Sequence, residues 1–208
     1  IFVVLGAAGL LLHRGAPPTP AAASGHPPVA SLYASLIAAE WLLFRLVTAG
    51  MKAKGNDWRT LMGRTGSGVS GIARDALLGL LLCAAWVTAV LVVRSSSTDP
   101  AGPSLLPRGA LETALWIVLS LSAGFCEEIT FRGYFQRQFE ACTHRPAVAL
   151  AMQAVLFGIA HAYQGLPSVL AIAGYGVVFG ALALWRGSLR PGMVAHALTD
   201  LALGLFAR

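Results

Sequence analysis

Long apolar runs separated by short polar segments restrict the fold of this chain more than any other feature. A membrane-spanning helix needs about 20 mostly apolar residues, and seven runs approach or exceed that length. They cover residues 1–12, 29–50, 73–93, 110–126, 146–163, 167–185 and 191–207. The first run is either the end of a longer helix or the apolar part of a signal peptide. The sequence predicts an all-α, polytopic transmembrane bundle of about seven spans.

The composition agrees with a membrane protein and argues against a nucleic-acid partner. Charged residues make up 12% of the chain, whereas soluble domains contain about 25%. The net charge is +6, but the basic residues lie between apolar runs instead of along one face. They are therefore interpreted as contacts with membrane lipid and as signals of orientation. The excess of alanine, glycine, leucine and arginine is typical of a bacterial chain with a GC-rich gene.

Lysine and arginine predict which side of the membrane each loop occupies. Segments 51–74, 132–145 and 186–190 carry ten of these residues, and the loops on the opposite side carry three. Cytoplasmic loops are enriched in lysine and arginine. The three basic segments are therefore predicted to be cytoplasmic, in a bacterial inner membrane. The three cysteines have no CxxC spacing, so no disulfide framework is expected.

Two adjacent acids and an arginine end the fourth apolar run, in the sequence FCEEITFR. Glu128 and Arg132 are four residues apart with the acid first, which is the favourable order for an ion pair on a helix. Glu127 is rotated by about 100° from Glu128, so it faces elsewhere without a local counter-charge. The alternative is a helix end whose carboxylates are merely solvated.

Two further apolar runs contain histidine. His161 lies one helical turn after Phe157, and a histidine in such a position is either a site residue or a packed, hydrogen-bonded core residue. His196 and Asp200 are four residues apart, so both lie on one face of the last helix. A carboxylate in an apolar helix is costly unless it is paired. The pair is either part of a site or a contact that only stabilises helix packing.

Taken together, these groups lie in three different helices and can converge on one cavity. Two histidines and two or three acids around water suit the activation of a water molecule for hydrolysis. They would also suit zinc, whose ligands are His, Asp, Glu and Cys. In that alternative the ligands are Glu127, His161, His196 and Asp200.

The three motifs resemble those of the CPBP family of intramembrane proteases, which includes the CAAX prenyl endopeptidases and the bacteriocin-processing Abi proteins. The resemblance covers about residues 110–205 and divides the chain into N-terminal transmembrane helices, residues 1–109, and a catalytic core, residues 110–208. The motifs that carry it are EExxxR, FxxxH and HxxxD, represented here by Glu127, Glu128 and Arg132, by Phe157 and His161, and by His196 and Asp200.

The resemblance implies a conical core of four helices that opens toward the cytoplasm and a peptide or protein substrate near the membrane. It implies that Glu127 and His161 activate water and that His196 and Asp200 stabilise the oxyanion. Glu128, Arg132 and Phe157 would support the site. The position of Asp200 is usually asparagine in eukaryotic members, and an ionised carboxylate cannot donate to an oxyanion, so Asp200 is expected to orient His196.

The expected enzyme is a glutamate-type endopeptidase without a cofactor. The first alternative is a zinc metalloprotease that uses the same residues as ligands. The second is a non-catalytic membrane immunity or scaffold protein with this fold. The third is a proton-coupled transporter whose carboxylates form a relay. A transporter would favour internal repeats and broken helices, and the sequence shows neither.

Overall fold

The structure is a computed structural model, and it describes residues 29–63, 68–95 and 105–206. Helices account for 90% of these residues and no strand occurs among them. The nearest approach to a sheet in this part of the chain is an isolated bridge between Gly63 and Ser188. The predicted all-α class is therefore confirmed for the described residues.

Seven α-helices follow one another in the described ranges, joined by short turns. They are α1 Ala30–Ala53, α2 Gly68–Ser95, α3 Gly109–Glu127, α4 Gln136–Thr143, α5 Pro146–Ala160, α6 Leu166–Arg186 and α7 Arg190–Phe206. Two 3₁₀ turns cover Trp58–Met62 and Ala162–Gln164. The segment Glu128–Phe135, between α3 and α4, is a π-helix.

Four helical segments are long and apolar enough to cross a membrane. They are Ala30–Ala53, Gly68–Val92, Gly109–Thr143 and Leu166–Arg186. Pro146–Ala160 is apolar but only 15 residues long, and α7 has 17 residues. The protein thus has membrane-spanning helices, as expected of an integral membrane protein. The predicted count of seven spans is not confirmed, and the run 1–12 lies outside the described residues.

Local sequence signals account for the ends of the helices that lead to the motifs. Pro146 occupies the first turn of α5, where its missing N–H group costs nothing. Helix α6 stops at Gly187, whose φ of 61° is left-handed, a conformation that glycine adopts without a steric penalty. These ends keep Phe157 within a continuous helix and leave His161 just after its last residue.

The described chain divides into two compact units, and the division falls between Glu127 and Glu128. The first unit contains residues 47–63 and 128–189, and the second contains residues 29–46, 68–95, 105–127 and 190–206. The predicted boundary between residues 109 and 110 has no structural test and stays a prediction.

Close contact between α5 and α6 organises the first unit. A Cβ atom added to Gly176 would lie 2.9 Å from the Cα of Ala154, so the two helix backbones touch at this level. Beside this contact, Gln153 donates a hydrogen bond of 2.8 Å to the carbonyl oxygen of Gly176. Gln136 donates one of 3.3 Å to the carbonyl oxygen of Gly180. Small residues allow membrane helices to approach in this way.

In the second unit, α7 packs on both α2 and α3. A Cβ atom added to Gly124 would lie 2.9 Å from the backbone nitrogen of Ala197, so the glycine permits the close approach of α3 and α7. Helix α1 contacts α3 through aromatic rings instead. Tyr33 meets Trp116 edge to face, with ring centroids 5.3 Å apart. These contacts bring α1, α2, α3 and α7 into one unit.

Candidate active site

Glu127, His196 and Asp200 meet in the second unit and are called here the acid–imidazole cluster. Nε2 of His196 lies 3.7 Å from Oε2 of Glu127 and 3.6 Å from Oδ2 of Asp200. Glu127 is the last residue of α3, and the other two lie one turn apart on α7. The close approach at Gly124, three residues before Glu127, brings these two helices together.

The chemistry of the acid–imidazole cluster follows from one nitrogen that faces two carboxylates. The distances of 3.6 and 3.7 Å are those of ion pairs and not of short hydrogen bonds. A protonated imidazole there would be stabilised from both sides, because opposite charges within about 4–6 Å favour the charged forms. The cluster therefore combines a potential base, Glu127, with a potential donor, His196.

The first unit holds the other predicted residues, beginning with the pair Glu128 and Arg132. Nη1 of Arg132 lies 3.0 Å from Oε1 of Glu128, and the two side chains are 0% and 1% exposed. None of the guanidinium N–H groups is aligned for a directed hydrogen bond within the described residues, so the contact is a buried ion pair. The four-residue spacing predicted this pairing.

Aromatic rings complete the surroundings of Arg132. Its guanidinium carbon lies 4.1 Å from the ring centre of Phe157 and 5.7 Å from that of Phe179. A guanidinium within about 6 Å of an aromatic centre is attracted to the ring electrons. Phe157, predicted only as a neighbour of His161 on the same helix face, thus also stabilises the arginine.

His161 follows the last residue of α5 and is held by that helix. Its Nδ1 lies 2.9 Å from the carbonyl oxygen of Phe157. Since a carbonyl oxygen only accepts, Nδ1 carries the proton, and Nε2 of the neutral ring is left as an acceptor. The ring also packs edge to face on Phe157, with centroids 4.8 Å apart.

The structure brings the predicted residues together in two groups. Glu127, His196 and Asp200 meet in the second unit. Glu128, Arg132, Phe157 and His161 meet in the first unit, where they lie within ion-pair, ring-contact or hydrogen-bond distance of one another. The convergence of His161 on Glu127 concerns residues of different units and stays a prediction.

Zinc ligation has no support in the arrangement of these side chains. Among residues 29–63, 68–95 and 105–206, no group of three or more His, Cys, Asp or Glu residues is placed to hold a metal ion. The predicted ligand set draws on both units, with His161 in the first and the acid–imidazole cluster in the second. No step below is therefore routed through a metal.

Two features of this region do not follow from the motifs. One is the π-helix that starts at Glu128, directly after Glu127; such turns are frequent at functional sites. The other is Glu40 of α1, a buried acid in the second unit that interacts electrostatically with Glu127 and Asp200. A single acid in the apolar run 29–50 was the sequence signal for it, but no motif included this residue.

An open apolar groove of about 340 Å³ lies in the second unit. It is lined by Trp41, Val118, Leu121, Ser122 and Phe125. Trp41 and Phe125 stack with centroids 6.1 Å apart, and Trp41 donates a hydrogen bond of 3.0 Å to Ser122. In the chain, Trp41 follows Glu40 directly, and Phe125 lies two residues before Glu127. An apolar surface therefore accompanies the acids of this unit.

Comparison with known families covers the part of the chain that contains all three motifs. Residues 109–202 match the model of the type II CAAX prenyl endopeptidase Rce1-like family. This segment is Rce1-like. The match confirms the resemblance that the motifs predict. The searches of curated proteins and of solved structures found no match.

The Rce1-like match supports an intramembrane endopeptidase at the level of the family. It covers α3, the π-helix and α4 to α6, together with α7 as far as residue 202. All seven predicted site residues lie inside it, whereas α1 and α2 lie outside. The match assigns no role to any single residue, so the roles given below are proposals.

Proposed function

We propose that this protein is a membrane-embedded endopeptidase that hydrolyses peptide bonds of proteins or peptides close to the membrane. The observation that supports this most strongly is the acid–imidazole cluster within the Rce1-like segment. A carboxylate beside an imidazole, at the end of a membrane helix, provides a base and a donor where few polar groups are available.

In the proposed reaction, water attacks the carbonyl carbon of the scissile peptide bond. Glu127 accepts the proton of the water as the new C–O bond forms, and the same proton passes to the leaving nitrogen as the C–N bond breaks. Glu127 thus returns to its starting state. Nε2 of His161 is the proposed second acceptor for this proton, which depends on the predicted convergence of His161 and Glu127.

His196 is proposed to stabilise the oxyanion that forms on the carbonyl oxygen. A preorganised donor of this kind contributes a factor of about 10²–10³ in rate. Asp200 faces the same imidazole nitrogen at 3.6 Å, so it favours the protonated ring and fixes its position. The ion pair of Glu128 and Arg132 holds the helix that follows Glu127, and Phe157 supports that arginine.

The proposed substrate is a peptide segment that lies next to the lipid. The apolar groove lined by Trp41 and Phe125 gives such a segment an apolar surface in the unit that contains the acid–imidazole cluster. The three basic segments place the opening of the site on the cytoplasmic side of a bacterial inner membrane.

The proposal is tested by the substitution Glu127→Gln in protein reconstituted into liposomes. The amide keeps the shape of the side chain but cannot accept the proton, so kcat/KM should fall by about 10²–10⁴. Cleavage of a panel of membrane-inserted peptides is followed by mass spectrometry. The control is Glu112→Gln, because Glu112 is also in α3 but lies about 22 Å away along the helix axis. Undiminished cleavage by the Glu127 variant would refute the mechanism.

The same assay separates the glutamate mechanism from the zinc alternative. Activity that survives dialysis against a strong chelator, in protein shown by elemental analysis to contain no zinc, agrees with the proposal. Activity that is lost and then restored by zinc alone favours the metalloprotease. If wild-type protein cleaves no member of the panel while folded, the non-catalytic alternative is favoured.

A further inference from the structure

Glu40 lies in α1, outside the Rce1-like segment, yet it is coupled to the acid–imidazole cluster. The residue is 9% exposed, and its Oε2 is fully buried without a hydrogen-bond partner in the described part of the chain. Its charge interacts with those of Glu127 and Asp200. The thiol of Cys126 interacts with both Glu40 and Glu127. These interactions connect α1, α3 and α7 within the second unit.

Simple electrostatics limits how these three carboxyl groups ionise. One charged side chain at the depth of a membrane costs about 2.5–3.5 kcal/mol even on the milder scale. Like charges oppose each other's ionisation. The acid–imidazole cluster contains one imidazole, His196, which faces Glu127 and Asp200. The carboxyl groups therefore release their protons as a coupled set.

We propose that Glu40 is a positioning residue that shares a proton with Glu127 and thereby sets the pH range in which Glu127 accepts a proton from water. The inference rests on the proposed function. The other ionisable groups that face this pair are Cys126 on α3, and His196 and Asp200 on α7. The proton moves between two carboxyl oxygens, so the shared step changes neither the number of protons nor the redox state.

The unpartnered Oε2 of Glu40 explains which group retains the proton. Glu127 faces the imidazole at 3.7 Å, which favours its ionised form. Glu40 has no such partner among the described residues, and a neutral carboxylic acid is the less costly form of a buried group. When Glu40 loses this proton at high pH, a second negative charge stands near the developing oxyanion, and the rate should fall.

The first test is the pH profile of kcat/KM for Glu40→Gln in liposomes. Glutamine is neutral at every pH, so the variant has no shared proton to lose. Its alkaline limb should move up by at least about one pH unit, the shift typical of one nearby charge, while the maximum stays within about threefold of wild type. Glu112→Gln removes the same charge at the other end of α3 and should leave the profile unchanged.

The second test is independent of catalysis. Infrared spectroscopy detects the C=O stretching band of a protonated carboxyl group, and this band should be present in wild-type protein at neutral pH. Glu40→Gln should remove it, while Glu112→Gln and Asp200→Asn should retain it. Glu40→Asp keeps a carboxyl group in the same place and should retain the band even if Glu40→Gln folds poorly, as judged by thermal unfolding.

The outcomes distinguish this inference from the proposed function. If Glu40→Gln keeps both the wild-type alkaline limb and the wild-type carboxyl band, Glu40 shares no proton with Glu127. The proposed function then still stands, provided that Glu127→Gln is inactive. If Glu127→Gln cleaves like wild type, the proposed function is lost, while the infrared comparison still decides whether Glu40 retains a proton.

Discussion

Arg132 shows how one residue can stabilise a region that the motif describes only by spacing. Its side chain is fully buried between a carboxylate, 3.0 Å away, and the ring of Phe157, 4.1 Å away. Charge, hydrogen-bonding capacity and ring contact are thus satisfied locally. Lysine cannot replace it, because its compact charge lacks the flat surface that lies over the ring.

Arg132→Met should lower the free energy of unfolding by about 3–5 kcal/mol, because it leaves Glu128 as a buried charge without its partner. The double variant Glu128→Gln with Arg132→Met removes both charges and should recover most of this loss. Unfolding in mild detergent, followed by circular dichroism, measures the difference. Equal stability of the single variant and wild type would show that the ion pair contributes nothing.

Spacing alone predicted the pairing of Glu128 with Arg132 and the separate direction of Glu127, because both depend only on helical geometry. Glu40 was not predicted as a site residue, since its partners come from α3 and α7. A motif search detects residues that are close in the chain. It does not detect a carboxyl group that approaches them from another helix.

At the scale of elements, small residues decide how closely the helices of the first unit approach. Gly176 has the backbone of Ala154 beside it, whereas a Cβ atom on Gly174 would meet nothing within 4 Å. Both glycines lie in α6, in the sequence AGYGVVFG. The sequence predicted close-packing faces for this run, and the structure confirms the prediction for Gly176 but not for Gly174.

Gly176→Ala should destabilise the protein by about 1–3 kcal/mol, because the added methyl group meets rigid backbone and forces α5 and α6 apart. Gly174→Ala is the matched control. It should be neutral or stabilising by up to about 1 kcal/mol, since alanine favours a helix more than glycine does. Thermal unfolding of both variants decides between these effects, and equal melting temperatures would contradict the packing argument.

The π-helix Glu128–Phe135 could not be predicted from the sequence. Its eight residues contain Phe131, Tyr134 and Phe135 at a spacing that fits an ordinary α-helix equally well, and the apolar pattern over so short a segment does not separate the two periods. Gly133 marked a weak point in the helix, but the wider turn depends on packing. A Cβ atom on Gly133 would lie 3.1 Å from side-chain atoms of Leu61 and Leu189.

At the scale of the whole molecule, the three basic segments are linked by direct contacts in the first unit. Arg137 donates hydrogen bonds of 3.0 Å to the carbonyl oxygens of Thr60 and Leu61. The backbone N–H group of Leu189 donates one of 3.1 Å to the carbonyl oxygen of Met62. Lysine and arginine counts predicted that these segments share one side of the membrane, and the contacts agree with that grouping.

The cytoplasmic location of these segments stays a prediction, and Cys142 provides a test. This thiol is exposed, near the end of α4, so a membrane-impermeant maleimide should label it in inverted vesicles but not in intact cells. Cys142→Ser is the control for labelling at Cys83 or Cys126. Labelling of Cys142 in intact cells would reverse the predicted orientation.

The aromatic contacts of α1 have a consequence for how this enzyme core can be reused. Tyr33 covers Trp116, and Trp41 and Phe44 cover Phe125, so two rings of the Rce1-like segment are completed by a helix that precedes it. A chimaera that transplants residues 109–202 onto a foreign membrane anchor would inherit the catalytic motifs but leave these rings bare. Such a graft has to carry the α1 aromatics with it, or supply others that fill the same space.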